Sequence, residues 1–262
     1  MRTFYFGRSR RLYGALHEAR GRARTTGVLL CYPGVQEYNQ THWAFRRLAA
    51  QLSRDGMHCL RFDWSCTGDS EGEVHDGDVE RWVEDVSAAA EELRESTGVR
   101  RVSVVGMRLG ALLATRAVAA GLAVHDLVLW DPVIDGQTYV DELEDLDALQ
   151  CRRRQHRVEH PRVELDGYPF PSGLRAQLGM QSLERVTPRG AAHVALLLSA
   201  ASAAAVELHE VWQRRGVDVR SRVVVSPPDP TAWQDDAARQ YTEMLRALAA
   251  ELVPATQAAV AA

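Results

Sequence analysis

Gly106-Met107-Arg108-Leu109-Gly110 has the spacing of a tight strand-to-helix turn that lifts one side chain over a sheet. In the Gly-x-Ser-x-Gly form of that turn the central residue is an acyl-accepting nucleophile, and the glycines make room for a crowded backbone. The frame is complete: an apolar run at residues 101–105 leads in, and an Ala/Leu-rich segment follows. The central residue, however, is Arg108. A guanidinium stays protonated at ordinary pH and cannot attack a carbonyl; its planar fork of donors suits a carboxylate or a phosphate instead.

Other chemically capable residues fall where strands end, the side of a parallel sheet on which ligands bind. The run 28–32 is followed by Pro33, Gly34 and Val35, then by Glu37, Asn39 and His42. Asp63 follows the run 59–62, and Trp130 and Asp131 close the run 127–130. Two roles are open for Arg108. It binds an anion or oxyanion, assisted by the backbone N–H of Leu109 and one from Gly34 or Val35, or it forms an ion pair with Glu37 or Asp131 that plugs the site. Glu37 is a general base if burial raises its pKa, or the counterion of Arg108. His42 is a base or a surface residue near a helix start. Asn39, Asp63 and Asp131 are candidate ligand contacts, with Asp131 alternatively supporting Arg108 or a hinge. Cys66 sits in a turn with no histidine beside it to activate a thiolate, and His193 falls at the far end of its strand.

These positions need a scaffold, and the hydrophobic pattern supplies one. Residues 3–9 and 11–18 read as an antiparallel pair. Apolar runs at 28–32, 59–63, 101–105, 127–130, 193–198 and 219–225 read as strands, the continuous ones buried and parallel. Segments with helical periodicity fall between them at 41–54, 79–96 and 109–120, through about 215 after the loop 199–202, and at about 231–252. Alternation of this kind predicts an α/β fold with a doubly wound, mostly parallel sheet and right-handed crossovers. The pattern lapses between 135 and 188, where an acidic patch at 141–145 and Arg152, Arg153, Arg154 and Arg157 occur among Gly/Pro punctuation. The basic group is a solvated helix face or a contact for an acidic carrier or headgroup. The division is a core of 1–134 and 189–253, an inserted helical lid or cap at 135–188, and a frayed Ala-rich tail at 254–262. Trp130, Trp233, Tyr168 and Phe170 are expected to line an apolar pocket or pack the lid.

The balance of 31 Lys+Arg against 35 Asp+Glu, net charge −4, provides no field for nucleic acid or an anionic membrane. No apolar run reaches the ~18 residues of a bilayer span. Four cysteines without ligand spacing, two of them inside apolar runs, and a start without a signal-peptide core lead to an expected cytoplasmic location. No metal site and no cofactor are expected, and a homo-oligomer is left open.

The segments 29–34, 63–72 and 106–110 together resemble the α/β-hydrolase superfamily, in its serine aminopeptidase-like (monoglyceride lipase-like) group, from about residue 10 to 250. More narrowly, Glu37-Tyr38-Asn39 after the first parallel strand, with Arg at the elbow, is similar to the hydrolase-like proteins of exosortase systems. The resemblance implies an elbow serine, an acid after a late strand and a histidine after the last strand. This chain has Arg108 at the first position, Ser199-Ala200-Ala201-Ser202 at the second, and no histidine in 226–233 at the third. The triad of the family is therefore degenerate in this chain.

The first functional reading is a non-hydrolytic accessory protein of a biosynthetic or export pathway that binds a small-molecule, acyl, peptidyl or carboxylate-bearing ligand, carrier-bound or free. The second is an enzyme of another kind, an elimination, isomerisation or cyclisation using Arg108 with Glu37 or His42. The third is a protein-interaction subunit.

Overall fold

The computed structural model describes residues 1–7, 11–34, 37–153, 164–165, 167–225 and 241–253. Val35, Arg154, Arg157, Trp233, the loop 226–233 and the tail 254–262 lie outside them. β1 (Arg2–Phe6) and β2 (Leu12–His17) make the expected antiparallel pair. β3 (Thr26–Cys31), β4 (Cys59–Phe62), β5 (Arg101–Met107) and β6 (Val124–Trp130) follow, separated by α1 (Glu37–Arg54), α2 (Val79–Thr97) and α3 (Leu109–Ala119). An insertion then contributes α4 (Gly136–Arg153), a small hairpin of β7 (Glu164–Leu165) and β8 (Tyr168–Pro169), and α5 (Ser172–Gly179). β9 (Ala191–Leu198), α6 (Ala203–Arg214), β10 (Val219–Val223) and α7 (Thr242–Leu252) complete the chain.

The eight strands of the main sheet lie in the order β1-β2-β4-β3-β5-β6-β9-β10. From β4 to β10 every neighbour is parallel, and only the β1-β2 and β2-β4 pairings are antiparallel. Successive side chains of a strand point to opposite faces, and β3 shows the consequence. Leu29 and Cys31 join a core with α2, α3 and α6, whereas Val28 and Leu30 join a second core with α1 and α7. Strands buried on both faces have no polar stripe, which is why these runs are continuously apolar.

Two boundaries differ from the sequence reading. α1 begins at Glu37, four residues before the expected 41, so Glu37 and Asn39 stand in its first turn and not in a loop. The apolar periodicity that locates the helix starts only at Trp43, because the first turn carries Glu37 and Asn39 and only Tyr38 of its described side chains packs on the core. The insertion combines two helices with a hairpin, where helices alone were expected.

Candidate functional site

Arg108 joins β5 to α3 with φ 50° and ψ −118°, a conformation that costs of order 1–3 kcal/mol for a residue with a Cβ. The glycines on either side explain how it is held. A Cβ at Gly110 would come within 2.2 Å of the Tyr32 carbonyl oxygen, and one at Gly106 within 2.6 Å of Ala111 Cα. Only glycine lets α3 sit this close to β3 and β5. The turn is pinned by the Arg108 N–H donating to the Trp130 carbonyl at 3.0 Å.

The guanidinium lies between two carboxylates. Nε donates to Glu37 Oε1 at 3.0 Å and Nη2 donates to Glu142 Oε2 at 2.6 Å. The group also lies 5.3 Å from the centroid of the Tyr139 ring, whose hydroxyl donates to Glu37 Oε2 at 2.7 Å. Burial works against the arginine's charge, but Glu37 and Glu142 outweigh it and hold its pKa above the usual range. Burial, reinforced by Glu37, pushes the Tyr139 hydroxyl upward. The Arg108 side chain remains 26% exposed and Glu142 54%. One cation thus faces two anions, one from α1 and one from the insertion.

Asp131 does not pair with Arg108. With φ 41°, it turns its carboxylate toward β9, where Oδ1 accepts from Ser199 N–H at 2.7 Å and Oδ2 from Ser199 Oγ at 2.5 Å. Asp63 is also engaged elsewhere: it accepts from Tyr38 Oη at 3.0 Å and from Asp69 N–H at 3.1 Å, tying down its own exit loop. Burial pushes its pKa up. Asn39 Nδ2 donates to Tyr168 Oη and so bridges α1 to the insertion. His42 is exposed, stacks on Tyr38 at 6.1 Å and places Nδ1 3.1 Å from the Asn39 carbonyl. Neither contact reaches Arg108 or Glu37.

Gly34 packs on the side chain of Leu109, where a Cβ would approach Cδ2 to 2.5 Å. Leu109 opens α3, where backbone N–H groups have no intrahelical acceptor. Trp130, expected among ligand contacts, is fully enclosed: it stacks on Phe45 at 6.1 Å and meets Tyr241 edge-on at 5.2 Å. Its position inside β6 points it into the second core, so it packs and does not line a pocket. Phe170 is likewise fully buried, whereas Tyr168 reaches a cavity. Cys66 is buried with φ 64°, and burial pushes its thiol pKa up, opposite to what a nucleophile needs.

Sequence reasoning missed Glu142 and Tyr139. They stand three residues apart on α4, hence on one face, and that spacing was the available signal. Of the rings expected to line an apolar pocket or pack the lid, Tyr168 lines a cavity of about 230 Å³ between the ends of β3 and β4 and the insertion, whose other aromatic walls, Tyr38, Trp64 and Trp82, the sequence reading did not name. A larger cleft of about 820 Å³ opens beside Arg101 and His193, at the opposite end of β5 from Arg108. Among the described residues no group of three or more His, Cys, Asp or Glu could hold a metal ion. Likewise, none of their helices is long and apolar enough to cross a membrane.

Solved structures share this architecture at low identity. The mouse alpha/beta hydrolase domain-containing protein 10 aligns with a TM-score of 0.61 at 16% identity, covering 96% of this chain and 98% of its own. Proline iminopeptidase of Mycobacterium smegmatis gives 0.62 at 16%, covering 96% and 97%. Est1E of Butyrivibrio proteoclasticus, solved with ferulic acid, gives 0.63 at 13%, covering 94% and 99%. The fold is therefore that of the α/β-hydrolases. No protein with a curated description matches the sequence. The family described as serine aminopeptidase, S33, matches residues 24–187, more than half of the chain and including the elbow. The chain belongs to that family, with arginine at the turn where its fold presents a nucleophile.

Proposed function

We propose that this chain is a non-hydrolytic member of its family, binding an acyl or peptidyl ligand at the mouth of the sheet as an accessory protein of a biosynthetic or export pathway. The observation that carries the reading is the Arg108 guanidinium held between Glu37 and Glu142. The elbow side chain is a guanidinium, which does not attack a carbonyl. Two sequence features support it: residues 199–202 carry no acid, and residues 226–233 carry no histidine. The paired glutamates also favour a neutral ligand portion over a carboxylate, because they already outnumber the one cation. In this reading the insertion acts as a lid latched to the elbow. Glu37 serves as a counterion, its two oxygens each facing a donor, which argues against a base for elimination or isomerisation. Three of four free cysteines are buried, in keeping with a reducing cytoplasm.

The test is exposure to a serine-reactive fluorophosphonate and to short-chain nitrophenyl esters. The expected result is neither labelling nor turnover above the uncatalysed rate. Stoichiometric labelling at any serine overturns the reading.

A further inference from the structure

The cavity of about 230 Å³ adjoins the Arg108 cluster without being lined by Arg108, Glu37 or Glu142, and its walls come from both the core and the insertion. Its lining includes Trp64, Trp82, Tyr38 and Tyr168, with Leu174 and Val74 among the aliphatic residues. The polar ends of two of these rings are already tied to protein: Trp82 Nε1 donates to the Ser65 carbonyl at 2.9 Å and Tyr38 Oη to Asp63 at 3.0 Å. Those rings therefore offer carbon surface. Trp64 Nε1 is buried with no hydrogen-bond partner among the described residues. At the rim, Asn39 Nδ2 donates to Tyr168, leaving the Asn39 side-chain Oδ1 as an acceptor and the Tyr168 hydroxyl proton as a donor.

From this arrangement we infer that the cavity takes one neutral monocyclic aromatic group bearing a small polar substituent. This rests on the proposed ligand-binding reading and names the class of ligand. Size sets the first limit: an apolar cavity of about 150 Å³ accommodates benzene, so the present one holds a ring and a short substituent. Shape sets the second. Four aromatic side chains present flat faces and edges, and ring–ring contacts in offset or edge-on geometry bind better than their area alone provides. The substituent meets the rim pair, which can both donate and accept.

The experiment titrates p-cresol, 4-methylcyclohexanol and octanoate into the full chain by calorimetry, with saturation-transfer NMR as a second readout. One saturable p-cresol site is expected, at least about fivefold tighter than the saturated ring, with octanoate failing to compete. Val74→Trp is expected to fill the cavity and weaken p-cresol at least about tenfold; if that variant does not fold, Leu174→Phe serves the same purpose. Absence of saturable p-cresol binding, equal binding of the saturated ring, displacement by octanoate, or unchanged affinity in the filled variant each overturns the inference. A fluorophosphonate adduct would defeat the non-hydrolytic reading without touching this one, so the two failures are distinguishable.

Discussion

Arg108 combines a strained backbone with two charge partners, and both features have measurable consequences. Its φ of 50° is tolerated because Gly106 and Gly110 admit the close approach of α3. Its charge is balanced by groups 71 and 34 residues away in sequence. Replacing it strands two carboxylates beside each other. Arg108→Met is therefore expected to lower stability by about 2 kcal/mol in urea unfolding. Glu37→Gln in the Arg108→Met background should recover about 1 kcal/mol, because it removes one of the stranded charges. Additive losses in that double-mutant cycle would show that the pair is not coupled. At this scale the sequence offered Glu37 and Asp131 as alternative partners for Arg108, since all three fall at strand ends of one sheet. It could not choose between Glu37 and Asp131. That choice depends on the backbone of Asp131, whose positive φ turns its carboxylate to Ser199.

Among the elements, α4 is the one whose placement depends on the site. Tyr139 and Glu142 dock its first turns on the elbow and on α1, while Asn39 and Tyr168 tie the hairpin to α1. Because Glu142 is half exposed, its contribution is screened by salt and modest in energy. Glu142→Gln is nevertheless expected to raise amide exchange severalfold across 136–153, leaving α3 unchanged. Uniform exchange in the variant and the parent would mean that apolar packing of Tyr139, Val140 and Leu143 alone holds the helix. The parallel strands were legible because burial on both faces leaves continuous apolar runs. The start of α1 was not, since a polar first turn carries no 3.6-residue signal. In the insertion the cause was different: its helices bury few residues each, so periodicity there is weak.

On the scale of the whole molecule, pH is the lever. His17 in β2 is buried, and burial, followed by the Arg61 guanidinium donating to its Nε2 at 3.2 Å, lowers its pKa from 6.5 to about 4. As pH falls, the unfolded chain takes up this proton first. Stability present above pH 6.5 is lost progressively toward pH 4, by about 2 kcal/mol between pH 7 and pH 5. His17→Gln should flatten the pH dependence of the unfolding free energy by that amount; an unchanged slope would refute the assignment. The sequence by itself determined the alternating strands and helices of a mostly parallel sheet and the absence of a serine at the elbow, because these follow from local periodicity and residue identity. Tertiary structure alone decided that Arg108 is shared by Glu37 and Glu142, that Trp130 is core, and that four aromatic rings enclose a cavity. Each of these outcomes is a contact between distant segments. Such contacts are set by how the helices and the insertion pack on the sheet, which hydrophobic periodicity within one segment does not encode.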